Sequence, residues 1–352
     1  MVLFKKSPGR YLDTGNEHLL KGQWSLALES FTMAIQLNPT SADAYHGRGL
    51  AYFSQGKFEE AVKDFDKAIG FNSSLPDSYL YRGISLTGLS RFEEAIKDLK
   101  KTLELKPDLA EAFFYRGLAF RNYDPAKAQQ DFLKTLELKP GFADAFLNLA
   151  LLAADRSDWD AAIGYYAKAL EINPKLFEAF CYRGLAYTKK GMFDEALKDM
   201  DQAVQLQPQN FEAYFYRAIT HENRKEQDEA LNDYNKALEL NPELDVALFG
   251  RGILHNKRGE LDPAIADFSK AIEMFPLFAD AYFFRATALG KKGDLDAALN
   301  DFSKVIEINP QFAEAYYERS AIYRKKGDTA KAEIDYQKAL SLNPGLAAKT
   351  KK

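Results

Sequence analysis

The sequence has few of the residues from which disulfide frameworks, membrane spans and metal sites are built. It contains one cysteine, Cys181, so no intramolecular disulfide is possible, and a reducing, cytoplasmic location is the simpler expectation. No run of about 18 apolar residues occurs, which argues against a membrane-spanning helix. The opening residues MVLFKKSPGR also lack an apolar stretch of signal-peptide length.

The chain also lacks an excess of either charge. Its 47 basic and 51 acidic residues give a net charge of −4, and both halves are mildly acidic, which disfavours a generic nucleic-acid or anionic-membrane binder. The four histidines form no cluster with metal-ligand spacing, and no glycine-rich phosphate loop follows a strand. These absences argue against an enzyme, and we expect neither a cofactor nor a metal.

What the sequence does contain is a 34-residue unit that recurs ten times. The segment EAFCYRGLAY (178–187) has close relatives such as EAFFYRGLAF (111–120) and EAYYERSAIY (314–323). The units begin at residues 8, 42, 76, 110, 143, 177, 211, 245, 279 and 313, and the fourth is one residue short. An N-terminal tail (1–7) and a short basic C-terminal tail (345–352) flank the repeats, which occupy residues 8–344.

Each unit has the pattern of an antiparallel helix pair. Apolar residues recur at helical spacing in two runs of about a dozen residues, glycine lies in most of the turns between the runs, and proline follows the second run. The twentieth place of the unit is alanine in all ten copies, which predicts close helix contact there. A single pair cannot bury both of its faces, so neighbouring pairs must stack into an all-α solenoid.

The pattern resembles the tetratricopeptide repeat, in a tandem array of the prokaryotic type, over about 95% of the chain. The residues that carry the resemblance are an aromatic residue, a small residue, the invariant alanine, a second aromatic residue and the closing proline, at the offsets of that family. The resemblance implies a right-handed superhelical α-solenoid that acts as a non-catalytic scaffold for protein–protein interaction.

Arginine occupies the seventh place, where the family usually has leucine, in eight units. The same eight units have an aspartate on the second helix, and the other two lack both residues: Thr14 accompanies Ser30, and Leu149 accompanies Tyr165. Because an unpaired buried charge is costly, this joint loss predicts ion pairs within each unit that fix how the two helices close. The predicted pairs are Arg48–Asp64, Arg82–Asp98, Arg116–Asp131, Arg183–Asp199, Arg217–Asp233, Arg251–Asp267, Arg285–Asp301 and Arg319–Asp335.

The resemblance also implies a ligand groove. In the family the first helices line the concave face, and places two, five, nine, twelve and thirteen point into the groove. Here places five and nine are mostly apolar, which predicts a groove for a peptide or protein segment. The expected lining residues are Leu80, Phe114, Leu118, Leu147, Cys181, Leu185, Phe215, Ile219, Phe249, Ile253, Phe283 and Tyr317. The alternative is that these residues are core, covered by tight coiling or by self-association.

Basic residues end several first helices in the C-terminal half, and they could form a basic rim beside the groove. The rim residues are Lys189, Lys257, Lys291 and Lys325. A rim of this kind would favour an acidic ligand segment, whereas the alternative is that these cations only complement the helix dipoles. Two further functions stay open: a self-assembling protein, associating through its groove or an uncapped C-terminal repeat, and nucleic-acid binding along the basic edge.

Overall fold

The chain is an all-α protein, and the computed structural model describes residues 7–351, with side chains described for residues 7–347. In this part of the chain there are twenty α-helices and one short 3-10 helix, and no strand. The helices form antiparallel pairs, which confirms the predicted fold class. No helix in residues 7–351 is long and apolar enough to cross a membrane.

The helices of the N-terminal half belong to one structural unit, residues 1–179. The first helices of its five pairs are α1 (Pro8–Leu20), α3 (Ala42–Ser54), α5 (Pro76–Gly88), α7 (Ala110–Phe120) and α9 (Ala143–Asp155). The second helices are α2 (Trp24–Leu37), α4 (Phe58–Phe71), α6 (Phe92–Leu105), α8 (Pro125–Leu138) and α10 (Trp159–Ile172).

The second structural unit covers residues 180–352. Its first helices are α11 (Phe177–Lys189), within which the division falls, α13 (Phe211–Arg224), α15 (Asp245–Lys257), α17 (Ala279–Lys292) and α19 (Ala313–Lys325). The second helices are α12 (Phe193–Leu206), α14 (Gln227–Leu240), α16 (Leu261–Met274), α18 (Leu295–Ile308) and α20 (Thr329–Leu342). In both structural units every first helix begins at the residue where the 34-residue count starts a repeat.

The turn inside nine of the ten pairs contains one residue with a left-handed backbone. Six of these turns use glycine, as at Gly56 with φ 73°, because glycine adopts positive φ without a steric penalty. Three other turns place Ser90, Ser157 and Lys225 at φ 58–71°. The absence of glycine at these positions therefore does not break the helix pair, although it adds local strain.

Small residues set the distance between the paired helices. The alanine at the twentieth place is fully buried or nearly so in all ten repeats. Glycine at the eighth place of the second repeat is required by close packing, because a Cβ on Gly49 would lie 2.8 Å from the ring of Phe65, which is itself fully buried. In most pairs the core is thus a large ring set against glycine or alanine.

Within each structural unit the first helices lie on the more tightly packed side. First helices of successive pairs meet at five places, α1 with α3, α3 with α5, α5 with α7, α15 with α17 and α17 with α19, and in the described residues no two second helices approach to the same extent. A stack whose first helices are closer together bends toward them. The first-helix side is therefore the inner face within each unit.

The last repeat is followed by a short 3-10 helix, Pro344–Lys351. Its Leu346 is only 2% exposed and packs against Ala313 and Ala339, beside Tyr316 and Tyr317. Part of the apolar end that we expected to be uncapped is therefore covered by the chain itself, although Ile334 on α20 stays 69% exposed.

Candidate functional site

The arginine of the seventh place lies against the aspartate of the same repeat in all eight repeats that have it. Nε donates to one carboxylate oxygen and Nη2 to the other, at 2.6–2.9 Å. The aspartates are buried and the arginines are partly exposed. Each pair is bidentate, the geometry in which a guanidinium binds a carboxylate most selectively.

These guanidinium groups also join neighbouring repeats, which the sequence did not predict. In six repeats the remaining nitrogen, Nη1, donates to the side chain at the twenty-fifth place of the preceding repeat. Asp66 accepts from Arg82 at 2.6 Å, and Ser303 accepts from Arg319 at 2.9 Å. Each such arginine therefore holds three helices together, two of its own pair and one of the pair before.

The charges are held in place by burial and hydrogen bonding. The hydrogen bonds to Asp199 raise the pKa of Arg183 above its ordinary value, so this arginine stays charged. At Asp98, burial outweighs the attraction of Arg82 and raises the pKa of the carboxyl group. The shift at Arg183 therefore comes from its hydrogen bonds, and the shift at Asp98 comes from its burial.

Two repeats fill the same space without charge. In the fifth repeat Leu149 is 1% exposed, and Tyr165 on the facing helix packs near Phe146, with ring centroids 6.4 Å apart. In the first repeat Thr14 donates its hydroxyl to the carbonyl of Arg10, and Ser30 is buried. The two helices of a repeat can thus pack either around an ion pair or around two uncharged side chains.

The predicted groove residues lie on the first helices, and none of them is fully exposed. Leu80, Phe114 and Cys181 are buried. The other nine, which keep part of their surface accessible, are Leu118, Leu147, Leu185, Phe215, Ile219, Phe249, Ile253, Phe283 and Tyr317. Half-buried apolar residues at these places therefore occur in both structural units.

The aromatic residues at place five pack sideways as well as inward. Phe249 lies 5.9 Å from Phe268 of its own repeat and 4.8 Å from Phe278, which directly precedes the next first helix. Phe283 repeats this arrangement, with Phe312 at 5.1 Å between ring centroids. Phe249 and Phe283 thus join repeat to repeat, and each keeps part of its surface accessible.

The residues of the predicted basic rim divide into two groups. Lys257 Nζ lies 3.0 Å from Glu222 Oε1, and Lys291 Nζ donates to Asn256 Oδ1 at 3.0 Å, each contact reaching the preceding repeat. Lys189 and Lys325 are exposed. Half of the rim thus contributes to joining repeats.

A second set of ion pairs at this edge was missed by the sequence analysis. The basic residue at place fourteen reaches the aspartate at place eighteen of the repeat before. The pairs are Arg224–Asp194 (3.1 Å), Arg258–Asp228 (2.5 Å), Lys292–Asp262 (2.5 Å) and Lys326–Asp296. The sequence does contain a signal for these ion pairs, because the basic residue and the aspartate of each pair are always 30 residues apart.

Each of the four histidines contacts a polar side chain of its own repeat or of the next one. His18, His221 and His255 use Nδ1 to contact Gln23, Glu226 and Glu260 at the start of the second helix. His46 lies 2.8 Å from the hydroxyl of Ser78, and burial lowers its pKa. In the described residues no three His, Cys, Asp or Glu side chains are grouped to hold a metal ion.

Comparison with known families identifies the repeat. Models described as "TPR repeat" match residues 15–56 and 286–327, and models described as "Tetratricopeptide repeat" match residues 42–75, 118–176, 177–210, 211–244, 249–299 and 313–346. Together they cover most of the chain. The chain belongs to the tetratricopeptide repeat family, whose members are typically non-catalytic scaffolds and generally mediate protein–protein interactions.

Solved structures with the same fold come from several organisms. A tetratricopeptide repeat protein from Parabacteroides merdae is 22% identical, with 72% of this chain and 100% of that chain covered and a TM-score of 0.56. PilF of Pseudomonas aeruginosa is 22% identical, over 60% of this chain and 97% of that one, with a TM-score of 0.53. Human IFIT1, solved as a dimer with m7Gppp-AAAA, is 19% identical, over 96% and 90%, with a TM-score of 0.52. At these identities the likeness shows the fold, and no curated protein matches the chain.

Proposed function

We propose that the protein is a non-catalytic scaffold that binds a peptide or protein segment on the inner face of its first helices. The observation that carries this proposal is the row of half-buried apolar residues at place nine of the second structural unit. Leu185, Ile219 and Ile253 each keep accessible surface on the first helices. Contiguous apolar surface that stays accessible marks a candidate interaction site.

The charges beside this row indicate how a ligand would be oriented. Lys189 and Lys325 are exposed on one edge, while the second place of the repeats is mostly acidic, as at Glu178 and Asp280. We infer a ligand with an apolar stripe and an acidic segment that lies toward the lysines. Because exposed charges are screened by salt, the affinity for such a ligand should fall as ionic strength rises.

The cellular location remains a prediction, and it rests on cysteine usage. Cys181 is the only cysteine in the sequence and is buried, so the fold does not depend on an oxidising compartment. We propose a cytoplasmic location on this basis.

Affinity capture from the native source, read out by mass spectrometry, tests the proposed function. The informative variant is Ile219→Thr/Ile253→Thr, because the ninth repeat already has Thr287 at this place and the fold accommodates it. The matched control is Ile334→Thr, which changes an equally branched residue that is 69% exposed on a second helix. Partners captured by the wild type and the control but lost by the double variant would support the proposal. An unchanged set of partners would contradict it.

A further inference from the structure

The eighth repeat, residues 245–278, departs from the other nine at three exposed places. The second place is acidic in eight repeats and glycine in one, but Val246 here. The thirty-first place is asparagine, lysine or glutamine in nine repeats but Phe275 here, and the thirty-third is polar or glycine in nine but Leu277 here. All three apolar side chains are exposed, by 44%, 56% and 68% respectively.

The equivalence of the repeats places two of the three departures side by side, and the third, Leu277, follows Phe275 by two residues in the chain. In the third repeat the residues at places two and thirty-one form an ion pair, Asp77 with Lys106, at 2.8 Å. The fourth repeat does the same with Glu111 and Lys139 at 3.1 Å. The equivalence of the repeats therefore sets Val246 beside Phe275. An ion pair that other repeats form at these places has been replaced by an apolar patch, Val246–Phe275–Leu277.

The patch has an acidic border. Glu243, Glu273 and Asp280 are exposed and lie within four residues of the patch along the chain. Phe275 also packs on Phe278, with ring centroids 6.3 Å apart, so the patch is anchored to the core of the second structural unit. An apolar surface with anionic neighbours is complementary to a segment that combines apolar and basic side chains.

The chain contains such a segment. Residues 1–6, MVLFKK, consist of four apolar residues followed by two lysines, and they lie outside the described residues, directly before Ser7, which caps α1. We propose that the patch is a docking site for residues 1–6 of a second copy of the chain. The apolar side chains cover Val246, Phe275 and Leu277, and the lysines face the acidic border. This contact joins unlike surfaces of two copies, so each copy retains a tail and a patch for further copies.

A labelled peptide tests the proposal directly. Fluorescein-labelled MVLFKKSP, residues 1–8, is titrated with a chain that lacks residues 1–6, and binding is followed by fluorescence anisotropy. The variant Val246→Asp/Phe275→Lys/Leu277→Gln gives the eighth repeat the residues that other repeats have at these places, so the fold is kept, as circular dichroism would check. We expect saturable binding that the triple variant weakens at least tenfold. Absence of saturation, or equal binding by the variant, would overturn the proposal.

Three further measurements test separately the contribution of charge, the independence from the groove and the association of copies. The charge-reversed peptide MVLFEESP should bind at least tenfold more weakly, and equal affinity would refute the role of the acidic border. Ile219→Thr/Ile253→Thr should leave peptide binding unchanged, so that failure of the proposed groove and failure of this site are told apart. In sedimentation velocity the full chain should associate with rising concentration, and both the truncated chain and the triple variant should stay monomeric. A full chain that is monomeric at every concentration would exclude docking on a second copy.

Discussion

Replacing one residue of an arginine–aspartate pair should lower the stability of the protein far more than replacing both. Arg183 donates to both oxygens of Asp199 at 2.7 Å, and the aspartate is 5% exposed. We consider Arg183→Leu, Asp199→Tyr and the double variant. The double variant reproduces the pair Leu149 and Tyr165 that the fifth repeat already has at these places.

The expected magnitudes follow from burial. Arg183→Leu leaves the Asp199 carboxylate buried without a partner, which costs about 3–5 kcal/mol. Asp199→Tyr strands a guanidinium that is about one fifth exposed, so it should cost less, about 2–3 kcal/mol. The double variant removes both charges and should lie within about 1 kcal/mol of the wild type, because replacing an ion pair by apolar groups is often neutral.

The assay is urea unfolding followed by circular dichroism, together with hydrogen exchange of α11 and α12. Exchange is needed because arrays of repeats can unfold locally, and global curves then average over repeats. The double variant should protect both helices as well as the wild type does. Additive losses from the two single changes would refute the claim that the pair acts as a unit.

Other predictions concern single positions. Because burial lowers the pKa of His46, the folded state resists its protonation, and stability should fall as the pH drops below about 6.5; His46→Leu, which places the leucine of other repeats there, should remove that slope in unfolding measured across pH. Gly117→Ala would place a Cβ 2.7 Å from the ring of Phe132 and should lower stability by about 1–3 kcal/mol. Gly70→Ala meets nothing within 4 Å and should raise helix stability by about 0.5–1 kcal/mol. Thermal unfolding of the two glycine variants checks both predictions: a higher melting temperature for Gly117→Ala, or a lower one for Gly70→Ala, would contradict them.

The architecture could be predicted from the sequence because the same pattern of apolar, small and paired charged residues recurs in the repeats. Each first helix begins where the count of 34 residues places it, and the joint loss of Arg and Asp in the fifth repeat indicated the partners before any distance was known. Periodicity reports contacts that every repeat makes. Periodicity therefore predicts the contacts between the two helices of a repeat well.

Contacts between neighbouring repeats were harder to predict. The third bond of the arginines falls on threonine, aspartate, asparagine or serine, as at Thr32 and Asn235, so no single residue type marks the place. The burial of Phe114 and Cys181 depends on the angle between successive pairs, which a one-dimensional pattern does not contain. The covering of the last repeat by Leu346 lies beyond the final period and has no counterpart to count from.

The ladder from Arg224–Asp194 to Lys326–Asp296 gives the second structural unit one edge that is sensitive to its solution. The aspartates of these pairs are 75–82% exposed, so each contact is weak and is screened by salt. The bidentate pairs inside the hairpins are shielded from that screening. Raising the ionic strength should therefore weaken the contacts between neighbouring helix pairs while leaving each helix pair intact. The curvature of this structural unit should consequently vary with the salt concentration.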